Sequence, residues 1–200
     1  MKPLSRIPDM DTPEPLFQSW LDEAFKSEPD VPDAMSIATV SADGQPSVRM
    51  VLLKGHDARG FVFYTNSHSR KGHDIAANAK GALCFHWKSL GRQVRAEGSL
   101  SFVTDAESDA YWASRPRGSQ IAAWASDQSE VIAPGQTLDA RVATIEQRFA
   151  GESVPRPPHW KGYRLAPQRI EFWLNVANRL HDRLVFTQAG NGWRTERLYP

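Results

Sequence analysis

Apolar positions between residues 16 and 25 recur every three or four residues, with polar positions between them. This spacing predicts an amphipathic helix whose apolar stripe packs on a sheet. The stripe contains Leu16, Phe17, Trp20, Leu21, Ala24 and Phe25. Residues 1–12, with Pro3 and Pro8 among charged side chains, predict a flexible arm without regular structure. We therefore expect one domain at residues 13–200.

Short runs rich in β-branched and aromatic residues follow this helix, and turn sequences separate them. Asp43-Gly44 predicts a tight turn that joins residues 35–41 and 47–54 in a hairpin. Within the second run, Arg49 and Lys54 enclose four apolar residues, which indicates a buried strand between two polar rims; the alternative is that charged side chains at the strand ends simply extend to solvent. Further strands are predicted at 61–65, 81–87, 93–103, 163–165, 169–173, 183–187 and 193–198. Closely spaced antiparallel strands of this kind favour a barrel or a sandwich.

Helical signals interrupt the strands. We expect Ser69 to cap a short helix and Thr104 to cap a second one, which Pro116 interrupts. Two more helices are predicted at residues 120–125 and 137–149, the latter from its apolar stripe. The fold class expected from these patterns is mainly β with flanking helices.

Composition narrows the function classes. A chain of 200 residues can bury one sizeable core, and 24 basic against 23 acidic side chains leave a net charge of +1. The net charge is therefore too small to attract nucleic acid or a membrane surface to the protein as a whole. Cys84 is the single cysteine, which excludes an intrachain disulfide and a cysteine-based metal cluster. The first residues lack the apolar core of a secretion signal, so we expect a cytoplasmic protein.

The segment 179–183 is the most informative cationic cluster. In an extended strand, Arg179, His181 and Arg183 would point to one face, with Leu180 and Asp182 on the other. Planar guanidinium groups on such a face suit phosphate or carboxylate. The alternative is an ordinary solvated edge strand with Asp182 as counter-ion.

Two more segments suit an anion. Arg70 and Lys71 follow a run of hydroxyl and amide side chains at a strand-to-helix junction, where free backbone N–H groups and the helix dipole attract phosphate. Tyr111, with Arg115, Arg117 and Ser119, offers a second cationic patch at the proline-broken helix. Either could also be a capped helix or ordinary surface. Several anion sites and seven tryptophans together fit a large, flat, phosphorylated cofactor.

Other chemistries lack support in the sequence. We find no phosphate-binding P-loop, no dinucleotide-binding glycine motif, no serine-hydrolase elbow and no zinc-peptidase helix. Only His181 among the six histidines lies in a charged cluster, and the others lack metal-ligand spacing. We therefore expect no metal site.

The ordered motifs resemble the pyridoxamine 5'-phosphate oxidase family from about residue 16 to residue 200. The segments that carry the resemblance are 49–54, 63–66, 69–71, 114–120, 170–173 and 179–183. The resemblance implies a split β-barrel with a C-terminal dimerisation region, and a homodimer that binds FMN in clefts between its subunits. It also implies oxidation of pyridoxamine or pyridoxine 5'-phosphate by dioxygen to pyridoxal 5'-phosphate, with hydrogen peroxide as by-product and ammonia from the amine.

The resemblance assigns roles residue by residue. Substrate phosphate would be bound by Lys54, Tyr111, Arg115 and Ser119, while Arg179 and His181 would cover the reacting ring as the catalytic pair. FMN would be contacted by Arg49, Met50, Val51, Leu52, Leu53, Lys54, Tyr64, Thr65, Arg70, Lys71, Gln93, Gln128, Ser129, Trp173 and Arg183.

Two departures and two alternatives accompany this assignment. Residues 174–178 replace the glutamine and glycines common in the family, and residues 1–11 offer little of the basic, aromatic arm that longer members carry. One alternative function is an FMN-dependent oxidase of the same fold that acts on another ring, as in phenazine-pathway relatives. The other is a non-catalytic module that binds FMN or pyridoxal phosphate.

Overall fold

The computed structural model describes residues 6–200, and their fold is a curled antiparallel sheet with helices packed against it. The helices are α1 (Glu14–Ser27), α2 (Arg70–Ala77), α3 (Asp105–Ser114), α4 (Arg117–Ala125) and α5 (Leu138–Arg148). The strands are β1 (Ala34–Val40), β2 (Pro46–Leu52), β3 (Gly55–Asp57), β4 (Gly60–Asn66), β5 (Lys80–Trp87), β6 (Arg92–Phe102), β7 (Trp160–Leu174), β8 (Asp182–Ala189) and β9 (Gly192–Arg197). The predicted mainly-β class with flanking helices is confirmed.

The sheet curls into a half-barrel. Its strand order is β2-β1-β5-β6-β7-β4-β3, with β8 paired to the second half of β7 and β9 paired to β8. The Lys54 backbone N–H donates to the Val62 carbonyl at 2.8 Å, which connects the chain after β2 to β4 and so brings the two ends of the order together. Strands predicted at 163–165 and 169–173 are one strand, β7, which continues past a register irregularity opposite Glu97 and Gly98.

Helix α1 covers the inside of this half-barrel. Phe17 is 1% exposed and makes edge-to-face contacts with Phe61 and Phe85, at ring-centroid distances of 4.9 and 5.2 Å. Such contacts explain why the apolar stripe orders the helix. Phe25, which the spacing assigns to the stripe, is 58% exposed, so that part of the prediction is wrong. Phe25 lies in the last turn of α1, which ends at Ser27, and the buried part of the stripe ends before it.

The part of the predicted arm that the structure describes is docked. Residues 6–10 lack helix and strand, but Ile7 is 2% exposed in the main core. Its N–H donates to Asp182 Oδ2 at 2.7 Å, and Arg197 Nη2 donates to its carbonyl at 2.7 Å. Residues 1–5 of the predicted arm lie outside the described residues.

Strand β2 is not the buried strand that the sequence predicts. It lies at the edge of the sheet, and its outward residues Val48, Met50 and Leu52 are 67, 63 and 39% exposed. Lys54 follows the strand rather than ending it. The apolar run therefore forms an exposed row as well as a partly buried one. Among the helices of residues 6–200, none has the length and apolar character needed to cross a membrane.

Candidate functional site

A cavity of about 640 Å³ lies between β2, β4 and the start of α2. Its lining collects most of the ligand residues that the sequence predicts: Arg49, Met50, Val51, Leu52, Lys54, Tyr64, Thr65, Arg70, Lys71, Tyr111, Arg115, Gln128 and Ser129, together with Ser47 and Val48. Within the described residues, neither aspartate nor glutamate appears in this lining. A concave surface with cations and hydroxyls but no carboxylate has the donor set of an anion-binding site.

Lys71 is the most enclosed cation of the cavity, at 7% exposure. Its Nζ donates to Gln128 Oε1 at 2.9 Å, to Thr65 Oγ1 at 3.0 Å and to Ser69 Oγ at 3.2 Å. Burial, with a further contribution from Arg49, lowers the pKa of Lys71 to about 8. An ammonium that burial disfavours in this way gains stability when an anion arrives beside it.

Close packing brings α2 to the cavity. A Cβ atom on Gly72 would lie 2.1 Å from the Ser67 carbonyl oxygen, so only glycine permits this approach of the helix to the chain after β4. Ser69 occupies the N-cap position, as predicted, but its hydroxyl makes no capping bond. It donates instead to the Asn66 carbonyl at 2.6 Å. The first turn of α2 thus presents Arg70 and Lys71 without a side-chain cap.

Arg49 is held by groups that the sequence analysis did not identify. Its Nη1 donates to Thr39 Oγ1 at 2.6 Å, and Thr39 donates to Asp74 Oδ2 at 2.6 Å. Asp74, which is 5% exposed, lies 3.7 Å from Arg49 Nη2. Burial lowers the pKa of Arg49, and Asp74 opposes that effect. The buried carboxylate and its hydroxyl bridge therefore orient the guanidinium from behind.

Aromatic rings and Arg115 form another part of the wall. Tyr64 stacks against both Tyr111 and Trp160, with centroid distances of 4.3 and 4.9 Å, and those two rings lie 6.0 Å apart. The Arg115 guanidinium carbon lies 5.1 Å from the Trp160 ring centroid, and Arg115 Nη2 donates to the Ser119 carbonyl at 3.0 Å. Arg115 Nε is buried and has no hydrogen-bond partner within residues 6–200, and burial lowers the pKa of this side chain. An unpaired buried donor is costly, and an incoming acceptor would relieve that cost.

The remaining residues of the predicted substrate patch do not all face the same cavity. Ser119 lines an adjoining cavity of about 320 Å³ that shares Tyr64, Thr65, Arg115 and Gln128 with the first. Arg117 turns away, because its guanidinium donates to the carbonyls of Phe149 and Glu152. Leu53, predicted to contact the cofactor, is 6% exposed in the main core.

A second group of predicted residues lies on a different surface, the β6–β8 face. Gln93 pairs with Trp173 across β6 and β7, and Trp173 pairs with Arg183 across β7 and β8. Cross-strand partners project from the same side of a sheet, so the three side chains share one face. His181 lies beside them, with its ring centroid 4.7 Å from that of Trp173. Within the described residues, this group does not line the cavity.

The segment 179–183 is not the continuous strand that the alternation predicts. Ala177–Arg179 form a 3₁₀ turn, and β8 begins only at Asp182. Asn178 and Arg179 have φ values of 57° and 61°, a left-handed conformation that asparagine tolerates better than arginine. The turn moves Arg179 out of the predicted row, while Asp182 pairs with Arg197 at 2.6 Å instead of acting as counter-ion to this cluster.

His181 is held by the backbone of this turn. The Val176 N–H donates to His181 Nδ1 at 3.2 Å, which requires Nδ1 to be an acceptor. In the neutral ring the proton is then on Nε2. The predicted catalytic histidine therefore has a defined tautomer, with a donor on the nitrogen opposite the Val176 contact.

The sequence interpretation missed the groups that hold the arginines: Thr39, Asp74 and Glu171. Glu171 is 2% exposed in β7 and pairs with Arg183 at 2.9 Å. A signal was available for this residue, since a glutamate stands alone within the apolar run 170–173. No corresponding signal marked Thr39 or Asp74. Over residues 6–200, no group of three histidine, cysteine, aspartate or glutamate side chains suits a metal ion.

Comparison with known proteins gives a consistent family. The family model described as pyridoxamine 5'-phosphate oxidase matches residues 21–149, and the one described as pyridoxine 5'-phosphate oxidase C-terminal dimerisation region matches residues 160–200. Curated relatives named pyridoxine/pyridoxamine 5'-phosphate oxidase include one from Caulobacter vibrioides, 57% identical over 94% of this chain and 85% of the relative. Another, from Sphingopyxis alaskensis, is 56% identical over 95% of this chain and 88% of the relative.

Solved structures agree on the architecture. PhzG from Burkholderia lata 383, solved in complex with tetrahydrophenazine-1-carboxylic acid, has a TM-score of 0.90 and 32% identity, covering 96% of this chain and 94% of PhzG. A pyridoxamine 5'-phosphate oxidase-related, FMN-binding protein from Nostoc punctiforme has a TM-score of 0.78 at 13% identity and covers 96% of this chain and 100% of its own. The second comparison concerns the fold alone. The predicted split-barrel fold is confirmed.

Proposed function

This chain belongs to the pyridoxamine 5'-phosphate oxidase family, and we propose that it oxidises pyridoxamine or pyridoxine 5'-phosphate to pyridoxal 5'-phosphate. Dioxygen is the final electron acceptor and yields hydrogen peroxide, while the amine substrate also releases ammonia. The observation that carries this proposal is the cavity lined by cations and hydroxyls without a carboxylate. Relatives more than 50% identical over most of the chain carry the oxidase name. The cytoplasmic location expected from the sequence stays a prediction.

FMN is the proposed cofactor, and the residues present fit its phosphate. Lys71 and Arg70 at the start of α2, with Arg49 and Thr65 beside them, supply donors that suit a dianion. The lowered pKa of Lys71 and the enclosed Arg49 support this role, because each gains from an opposite charge. When bound, FMN would supply the group that accepts hydride from the substrate's C4' carbon, and it would provide the route by which the electrons reach dioxygen.

The substrate's phosphate is proposed to bind Lys54, Tyr111, Arg115 and Ser119. The buried, unpaired Nε of half-buried Arg115 supports this assignment, since a phosphate oxygen would satisfy it. Its stacking on Trp160 restrains the guanidinium plane before the ligand arrives. Lys54 is paired with Asp33 at 2.7 Å, so we expect its ammonium to share that carboxylate with the ligand or exchange it.

The complete site is proposed to form between two copies of the chain. The cavity of one subunit would meet the β6–β8 face of its partner, which brings Gln93, Trp173, Arg179, His181 and Arg183 to the ligands. Exposed apolar Val48, Met50 and Leu52 stand on β2, at the rim of the cavity, and support an interface there. The match of residues 160–200 to a dimerisation region supports the same arrangement.

The proposed catalytic pair orients the substrate rather than attacking it. Arg179 would cover the ring, and His181 would donate from Nε2, the nitrogen left free by its contact with the Val176 N–H. Holding the reacting carbon in line with an acceptor can lower a barrier by several kcal/mol, roughly 7 to 11 in favourable intramolecular reactions. No side-chain nucleophile is required.

One assay tests the function. Purified protein loaded with FMN is mixed with pyridoxamine 5'-phosphate in air, and both hydrogen peroxide and the pyridoxal phosphate absorbance are followed. We expect stoichiometric formation of the two products, and a fall in kcat/KM for the Arg179→Ala variant. Full flavin occupancy without turnover would instead favour a binding module.

Oxidation of another ring is the second candidate, and the fold match to PhzG favours it. Against it, the proposed phosphate ligands Lys54, Tyr111 and Arg115 line one cavity, with Ser119 in the adjoining one. A ring without a phosphate would leave the buried Arg115 Nε without an acceptor. Turnover confined to a non-phosphorylated substrate in the same assay would establish this alternative.

A further inference from the structure

Glu171 is a carboxylate buried on the β6–β8 face at 2% exposure. Its Oε1 accepts from Arg183 Nε at 2.9 Å, and Arg183 Nη2 lies 2.9 Å from the same oxygen as an ion pair. Its Oε2 accepts from Arg169 Nη2 at 3.3 Å and lies 4.0 Å from Arg95 Nη1. A charge this deeply buried is tolerated only when it is paired and hydrogen-bonded, and Glu171 satisfies both conditions.

The contacts of Arg183 restrict its guanidinium in two directions. Glu171 accepts from Nε and forms an ion pair with Nη2 along one edge of the guanidinium, while Nη1 donates to the Tyr199 carbonyl at 3.0 Å. A guanidinium has five N–H donors, so donors remain for a further acceptor. Trp173 is the cross-strand partner of Arg183, and Glu171 precedes Trp173 by two positions on the same side of β7. The carboxylate and the tryptophan thus frame the arginine.

The three arginines around Glu171 differ in whether a second carboxylate lies close to them. Arg95 and Arg169 also contact Glu97, at 2.9 and 3.4 Å. Among the described residues, Arg183 has no carboxylate within 4.0 Å other than Glu171. Loss of Glu171 would therefore leave Arg95 and Arg169 with a counter-ion, but would release Arg183.

We propose that Glu171 is a positioning residue for the flavin: it holds Arg183 in the orientation in which the guanidinium meets bound FMN. This inference rests on the proposed function, in which Arg183 and Trp173 contact FMN. Glu171 itself need not touch the cofactor. Its effect on FMN affinity passes through Arg183, whereas a general role in sheet stability would involve Arg95 and Arg169 equally.

The test compares three variants of the full-length protein as apoproteins. Glu171→Met keeps the side-chain volume and removes both acceptor oxygens, and Glu171→Gln keeps one of them. Glu97→Met is the matched control, because it removes the other carboxylate of the arginine cluster without touching Arg183. Titration with FMN, followed by quenching of flavin fluorescence, gives the dissociation constant, and thermal unfolding of each apoprotein gives its Tm.

We expect Glu171→Met to raise the FMN dissociation constant about 10- to 100-fold, the range for loss of a hydrogen bond to a charged group. Glu171→Gln should lie between this variant and the wild type, because its amide oxygen can still accept from Arg183. Glu97→Met should bind FMN like the wild type. Should Glu171→Met not fold, the ranking of Glu171→Gln against Glu97→Met decides.

Three results bear on the inference separately from the function. A wild-type protein that binds no FMN would overturn the proposed function, and the positioning role with it. Wild-type binding with an unchanged dissociation constant in both Glu171 variants would overturn the positioning role alone. Equal losses of affinity and Tm in Glu171→Gln and Glu97→Met would assign Glu171 to sheet stability and likewise overturn the role.

Discussion

The cavity beside α2 and the β6–β8 face use the same device in different settings. In the cavity, buried Asp74 holds Arg49 through Thr39, and on the face, buried Glu171 holds Arg183. The cavity is concave and surrounds its ligand residues with rigid elements, whereas the face is the side of a sheet. The cavity therefore has the donors and the enclosure that suit an anion, whereas the face presents its candidate residues on one side of a sheet.

Both regions contain residues with positive φ. The cavity lining includes Ser129 at φ 77°, and the turn beside the face places the consecutive residues Asn178 and Arg179 at 57° and 61°. Such conformations cost about 1 to 3 kcal/mol each in residues other than glycine and persist where surrounding structure compensates. The predicted departure at residues 174–178 thus lies next to the strained proposed catalytic residue. Positive φ therefore occurs beside proposed ligand contacts in both regions, with two consecutive residues in the turn and one in the cavity lining.

The largest effect is expected from Arg115→Ala in the cavity. Losing this half-buried cation, which we propose binds the substrate's phosphate, should lower kcat/KM for pyridoxamine 5'-phosphate about 100-fold or more, mainly through KM. Steady-state kinetics at saturating FMN measures this change. Arg194→Ala, at an exposed surface pair with Glu196, is the control and should leave kcat/KM unchanged. Equal kinetics for the two variants would remove Arg115 from the site.

A smaller effect is expected from the charge of Lys71. Its pKa of about 8 is lowered by burial, so the apoprotein carries this charge below pH 8 and loses it above. The FMN dissociation constant should rise as the pH increases past 8, by up to about tenfold per unit. Lys71→Met should weaken FMN binding at pH 7 about tenfold and remove this inflection.

Lys161→Met is the control for that titration, because Lys161 pairs with Asp105 and lies outside the cavity lining. It should keep the wild-type pH profile. A Lys71→Met profile that still bends near pH 8 would show that another group controls the affinity.

The smallest effect is expected from Thr39→Val, which removes the bridge between Asp74 and Arg49. Asp74 stays near Arg49 at 3.7 Å, so FMN affinity should fall only about threefold, while an unsatisfied Asp74 lowers unfolding free energy by about 1 to 3 kcal/mol. FMN titration and thermal unfolding give the two values. Thr144→Val, in exposed α5, should change neither. If Thr39→Val bound FMN as weakly as Lys71→Met, Thr39 would have to orient other groups of the site in addition to Arg49.

The sequence predicted the two regions unequally. Arg70 and Lys71 were identifiable because a strand-to-helix junction has a recognisable pattern, and the cavity contains both. The row of Arg179, His181 and Arg183 was wrong because alternation alone does not reveal a turn; Asn178, which tolerates positive φ, was the available signal.

The sequence also did not show which charged side chains are buried. Spacing does not distinguish Asp74, at 5% exposure, from a solvated carboxylate on the same helix, so the support of Arg49 became visible only in three dimensions. The meeting of Lys54 with Arg179 was expected from the family resemblance alone. In the single chain they belong to separate regions, since the cavity lining contains Lys54 and not Arg179.

The most direct test of a shared site combines two impaired chains and measures activity at substrate concentrations far below KM. Arg115→Ala damages the cavity and Arg179→Ala damages the face, so each homodimer should be strongly impaired. A heterodimer, purified through two different tags, would contain one site with both substitutions and one site with neither. We expect the heterodimer to have about half the activity of the wild-type dimer. A heterodimer no more active than its parents would contradict it, because Arg115 and Arg179 would then serve the site of the same chain.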